Sequence, residues 1–323
     1  MQFALPPRKT SRPPIYSRSS PTVIRRRQLK SFAVIGCIVI SALFLIFHLF
    51  SSGSSSADTP VANGPPVVIV TVLDTDFFSN TYIQRIKQNR EDYAKRHGYV
   101  NFFASTADYV PVMNLPSGAV VPRSWALVPA MRHAMTKYPG STYFFHLSPH
   151  SVIMDPTISL TSHVLEKSKL ESLMIKDTPV VPPDSVIKTF THLSGNDVDL
   201  IITQDAENLC PGSFIIRRGE WANYFLDAWF DPLYRSYNFA KAENHALDHI
   251  VQWHPTILAR LALIPQKIIN AYSHEAPKPG SNGLYTEGDF IVRLGGCETT
   301  PSRNCEKEME PYWNKWSKAY AQV

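Results

Sequence analysis

Residues 32–50, FAVIGCIVISALFLIFHLF, run nineteen positions without a charged side chain, and no other feature narrows the possible folds so sharply. As a helix rising ~1.5 Å per residue, such a run reaches roughly 28 Å, close to the ~30 Å hydrocarbon thickness of a bilayer. A cleaved signal peptide is the alternative, but its apolar region is usually about 7–15 residues long and close to the N-terminus. Here a polar segment, 1–31, comes first, so the sequence predicts a membrane-spanning signal anchor over 32–50. The tail carries eight basic residues (Arg8, Lys9, Arg12, Arg18, Arg25, Arg26, Arg27 and Lys30) and no acidic one. The positive-inside rule then places the tail in the cytosol and the chain after Phe50 across the membrane. The whole chain's net charge of +5 minus the tail's +8 leaves −3 for the remainder. The basic balance therefore belongs to the tail, and nucleic-acid binding has no support.

After the apolar run, residues 51–66 (SSGSSSADTPVANGPP) are small, polar and interrupted by Pro and Gly, which predicts a flexible stem. Residues 67–323 read as one α/β domain. VVIVTVL (67–73) has the β-branched composition of a strand buried on both faces. In NTYIQRIKQNREDYAKRHGY, the residues Tyr82, Ile83, Ile86, Tyr93 and Ala94 recur at helical spacing, with Gly98 as the stop. VNFFAS follows as a strand, and strand, helix, strand opens a parallel sheet. Further helices are expected over SWALVPAMRHAMTKYP and GEWANYFLDAWFDPLY, and further strands over TYFFHL, TPVV and VDLIIT.

In open α/β sheets, ligands bind beyond the carboxyl ends of the strands. Ser148 and His150 follow YFFHL, Asp74 and Asp76 follow VVIVTVL, Asp205 and Glu207 follow LIITQ, and Arg293 lies in DFIVRLGGC. Taken singly, Asp74 and Asp76 read as a strand-end turn or cap, and His150 as a surface turn residue. Of the four cysteines, Cys297 and Cys305 bracket the turn-rich CETTPSRNC and are expected to be bridged where the compartment oxidises. Metal ligation by these cysteines is the competing reading, and no CxxC pair accompanies it.

Taken together, NREDYAKRHGY, SWALVPAMRHAM, HSVIMDPTISL, PGSFIIRRGEW, HIVQWHP, LIPQKIINAY and EGDFIVRLGGC occur in an order that resembles glycosyltransferase family 34. The resemblance spans nearly all of 67–316 and is nearest to the family's fungal α-1,6-mannosyltransferase subunits. It implies a GT-A (Rossmann-like) domain behind the single N-terminal helix. It further implies a GDP-mannose donor, retaining transfer to a mannan or N-glycan acceptor, hetero-oligomeric partner subunits, and a type II Golgi membrane location with the domain in the lumen.

The departures from the family are equally specific. Its two metal-binding aspartates fall on Ser148 and His150, its C-terminal ligand histidine on Arg293, and the Asp of its acidic block on His245. A carboxylate pair suits a hard cation such as Mn²⁺, and Ser, His and Arg do not rebuild it. No metal site is therefore assigned. The shared direction of these changes, toward positive charge, predicts that Ser148, His150 and Arg293 bind the donor diphosphate directly. Asp205 is expected near the sugar as the catalytic carboxylate. The alternative is a catalytically inactive partner that keeps the fold and stabilises or guides active subunits.

Overall fold

The computed structural model describes residues 37, 39–41 and 64–320, apart from 116, 117, 119, 120, 238 and 276. Backbone contacts divide the chain into Met1–Ala57 and Asp58–Val323. The tail over 1–31 and most of 51–66 lie outside the described residues, as does most of 32–50, where Cys37 and Val39–Ser41 are helical and exposed. Among the described residues no helix is long and apolar enough to cross a membrane. The expected membrane-anchored Golgi location is corrected accordingly.

In the second unit, β1 (Val67–Leu73), α1 (Asn80–His97) and β2 (Val100–Ser105) form the expected opening, with β1 and β2 parallel and in continuous register from Val68↔Val100 to Leu73↔Ser105. The Ser79 hydroxyl caps α1 by accepting from the Tyr82 N–H, and Gly98 ends it at φ 66°, a left-handed conformation that suits glycine. Then follow α2 (Leu127–Lys137), β3 (Tyr143–Leu147), β4 (Ser151–Ile153), β5 (Leu200–Gln204) and β6 (Leu209–Arg217). The chain continues through α3 (Glu220–Trp229), α4 (Ala242–Trp253), β7 (Leu261–Leu263), β8 (Ala271–Tyr272), β9 (Ile291–Arg293) and α5 (Cys305–Tyr320).

The main sheet has the order β2-β1-β3-β6-β5-β7, with β6 antiparallel to both of its neighbours. Successive β1 residues face opposite cores. Val68 and Val70 pack with Trp125, Met131, Phe225 and Trp229, whereas Val67 and Ile69 pack with Tyr93 and Phe290. Burial on both faces explains the unbroken β-branched run. A smaller sheet, β4-β9-β8, carries the chain after β3 back beside the C-terminal region.

Two expectations change. TPVV forms no strand; Pro179 makes an isolated bridge to Lys188. The helix expected over 219–234 ends at Trp229, and Asp231 caps a new turn with Pro232 at its first position.

Candidate active site

A cavity of about 460 Å³ opens beyond the carboxyl ends of β1, β2 and β3, and Asp74, Thr106 and Ser148, each just past one of those strands, are among its walls. The turn Ser148–Pro149–His150 is anchored at several points. Ser148 N–H donates to the Gly212 carbonyl (2.8 Å), His150 N–H to the Ser148 hydroxyl (3.2 Å), and Leu294 N–H to the His150 carbonyl (2.7 Å).

The turn rests on α1. Tyr82 donates to the Pro149 carbonyl (2.9 Å), and the fully buried Arg90 donates to the carbonyls of Ser148 (3.1 Å) and Ser151 (2.7 Å). Asn89 exchanges two 2.9 Å bonds with the Ile153 backbone. Tyr82, Asn89 and Arg90 thus clamp both ends of a segment whose position sets the cavity wall. Burial lowers Arg90 to about 9, which still leaves it charged at neutral pH. Sequence reasoning passed over this Arg because it is charged, although it sits between Ile86 and Tyr93 on the apolar face of α1.

Arg293 arrives from the smaller sheet. Antiparallel pairing sets Ser151 opposite Arg293, which brings the guanidinium to the turn. It lies where a side chain at position 212 would be: a Cβ on Gly212 would fall 1.4 Å from Nη1. Arg293 lines the cavity, its Nε is buried without a partner, and its guanidinium makes no hydrogen bond or carboxylate ion pair among the described residues. Burial opposes its charge, but Tyr272 and the carboxylates of Glu298 and Asp205 outweigh this and raise its pKa. Buried His146 beside it is lowered to about 3, by burial first and then by Arg293 and Arg90, and is therefore neutral. Burial likewise lowers His150, against the pull of Glu298.

Ser148, His150 and Arg293 are thus brought into one cavity, whereas Asp205 does not line it. The Asp205 carboxylate is occupied elsewhere, accepting from the N–H groups of Glu207 and Asn208 and from the Tyr272 hydroxyl (2.9 Å). Three acids line the cavity, Asp74, Glu243 and Glu298; Glu243 is buried, accepts from the Ser124 hydroxyl, and is raised by burial to about 7. At the rim, Arg123 holds Asp74 (2.8 Å) and Asp76 (2.9 Å), and Phe77 stands 64% exposed. Cys297 and Cys305 are joined by a disulfide, and the Cys297 sulfur lies 3.5 Å from Nδ1 of His150.

The family model described as the galactosyl transferase GMA12/MNN10 family matches residues 63–306. The chain belongs to this family. Within the GMA12/MNN10 family, it is 30% identical to a Schizosaccharomyces pombe protein named uncharacterized alpha-1,2-galactosyltransferase C8D2.17, over 81% of this chain and 79% of the relative. It is 27% identical to probable alpha-1,6-mannosyltransferase MNN11 of Saccharomyces cerevisiae, over 86% of this chain and 68% of the relative. A solved glycosyltransferase involved in glycosylation of the PBCV-1 major capsid is 13% identical, covers 77% of this chain and 98% of its own, and superposes with a TM-score of 0.49. The family and the parallel-rich sheet agree with the GT-A class expected from sequence.

A hard divalent cation does not fit the residues at the strand end. Ser148 and His150 stand where oxygen-rich ligands would be needed, and the neighbouring Arg293 supplies a permanent positive charge.

Proposed function

We propose that this glycosyltransferase binds a nucleoside-diphosphate sugar with its diphosphate against Arg293 and transfers the hexose, with retention, to a glycan acceptor. One observation carries the proposal: a charged guanidinium that stacks near the Tyr272 ring but has no hydrogen-bond or carboxylate partner among the described residues faces a cavity at the carboxyl ends of the strands. A guanidinium forks onto two phosphate oxygens and stabilises the charge that develops on the leaving diphosphate. Ser148 offers its hydroxyl and His150 its ring to the same phosphates, and Phe77 offers a face on which the nucleobase stacks. Glu243, poised near neutrality, is placed to exchange a proton with the acceptor hydroxyl, a role better suited to it than to Asp205.

GDP-mannose is the proposed donor and α-1,6-linked mannan the proposed acceptor, with the chain working beside other mannosyltransferase subunits. The names of the mannosyltransferase relatives and the ordered sequence blocks support this reading. A UDP-galactose donor is the second reading, favoured by the galactosyltransferase names of relatives at 30% and 32% identity.

Calorimetric titration tests both readings. GDP-mannose and UDP-galactose are titrated into the full chain, with Mn²⁺ and with EDTA, and into Arg293→Ala. Binding of GDP-mannose in EDTA, weakened about 10- to 150-fold by Arg293→Ala, is the expected result, because a charge-assisted contact contributes about 1.5–3 kcal/mol. Binding of neither nucleotide sugar under either condition overturns the proposal in favour of an inactive partner subunit.

A further inference from the structure

The disulfide lies within a group of potential metal ligands that the metal-free donor site does not use as such. Donor atoms of His150, Cys297, Glu298 and Cys305 all lie within 4.8 Å of one another. Around a tetrahedral zinc ion, ligand atoms are separated by roughly 3.3–3.8 Å, as follows from bonds of about 2.0–2.3 Å. His150 Nδ1 and Cys297 Sγ, at 3.5 Å, already have that separation. The backbone around the group is well tied: Leu294 N–H holds the His150 carbonyl, Cys297 N–H donates to the Leu294 carbonyl (3.2 Å), and Cys305 opens the first turn of α5.

We infer that the Cys297–Cys305 disulfide masks a zinc site, and that reduction converts His150, Cys297, Glu298 and Cys305 into a four-ligand set for Zn²⁺.

The chemistry balances with a dithiol as the named reductant. It delivers two electrons and two protons to the S–S bond and leaves as its own disulfide, and two thiols remain. Zn²⁺ then replaces both thiol protons, which pass to solvent. Two thiolates, one carboxylate and one neutral imidazole around Zn²⁺ carry a net charge of −1, and the Arg293 guanidinium beside them offsets it. Thiolate and imidazole select Zn²⁺ over the hard cations that the strand-end turn cannot hold. The neutral imidazole is the form that ligates.

The inference shares His150 and Arg293 with the proposed donor site, and its test uses no nucleotide sugar, so failure of either reading is seen separately. The full chain is reduced with a dithiol, freed of reductant under argon, and titrated with Co²⁺ as a spectroscopic stand-in for zinc, while circular dichroism follows the fold. One equivalent of Co²⁺ should give a thiolate-to-cobalt charge-transfer band that Zn²⁺ abolishes and that the oxidised chain lacks. Cys297→Ser should remove the band, Glu298→Gln should weaken Co²⁺ binding by about tenfold or more, and Cys210→Ser should leave it intact. Absence of the band in the reduced chain, its persistence in Cys297→Ser, an equal band in the oxidised chain, or loss of the fold on reduction each overturns the inference.

Discussion

Gly212→Ala is the most discriminating substitution in the proposed donor site, because it acts on Arg293 without altering it. Gly212 lies within β6, and an Ala methyl there would fall 1.4 Å from Nη1 and 1.9 Å from Cζ of Arg293. The backbone cannot give way easily, because the Gly212 carbonyl accepts from Ser148 N–H at 2.8 Å. The guanidinium must therefore leave its place. If it holds the donor diphosphate, the displacement removes a charge-assisted contact of about 1.5–3 kcal/mol, and affinity falls about 10- to 150-fold. Overpacking adds a stability cost of about 1–3 kcal/mol, which thermal unfolding measures separately. The assay is a double-mutant cycle read by calorimetry with GDP-mannose. Gly212→Ala should weaken binding strongly in the wild-type background and hardly at all on top of Arg293→Ala, since the interaction has already gone. Equal losses in both backgrounds, or no loss in the first, refute the assignment of the guanidinium to the phosphates.

Glu243→Gln should change the pH dependence of stability. The Glu243 carboxyl rises from 4.5 to about 7 on folding, so the unfolded chain releases its proton first and stability falls as pH rises from about 4.5 to 7. The variant should lose that slope, which urea unfolding at pH 5 and pH 8 would detect; an unchanged slope rejects the burial argument. Asp205→Asn should lower the unfolding midpoint, through its bonds to Glu207, Asn208 and Tyr272, with donor affinity unchanged; a selective loss of turnover would return Asp205 to the reaction. Arg90→Met removes the guanidinium from the carbonyls of Ser148 and Ser151, of which the first keeps the Ser151 N–H as donor (3.1 Å), and should cost about 1–3 kcal/mol in chemical denaturation. A cost near zero would mean that α1 does not clamp the turn.

Periodicity revealed the elements whose side chains report their surroundings simply. β1, β2, β3 and α1 are runs in which most buried positions are apolar, with Thr71, Asn89, Arg90 and His146 the buried polar exceptions, so the pattern and the fold largely coincide. Periodicity does not mark β6, because Cys210, Pro211 and Gly212 interrupt its apolar run. They fit in a strand because Leu209 pairs with Gln204 and Ser213 with Leu147, leaving Pro211 between the two pairings where its missing N–H costs no ladder bond. Gly212 is explained only by the arginine that occupies its side-chain space. In the same way, Ser148, His150 and Arg293 could be named from the family blocks, but Glu243 and Arg90 acquire their roles from burial and from partners distant in sequence. No local pattern carries that information.

The pairing of Ser151 with Arg293 joins the two walls of the cavity across nearly half of the chain. During synthesis the strand-end turn and its clamp on α1 emerge well before β9, and domains fold as their sequence becomes available. A nascent chain that stops short of β9 holds β1, β2 and β3 yet lacks Arg293, the cation that the proposed donor site requires. Sugar-nucleotide capture should therefore arise late in biosynthesis, which would keep an unfinished chain from sequestering donor on the ribosome.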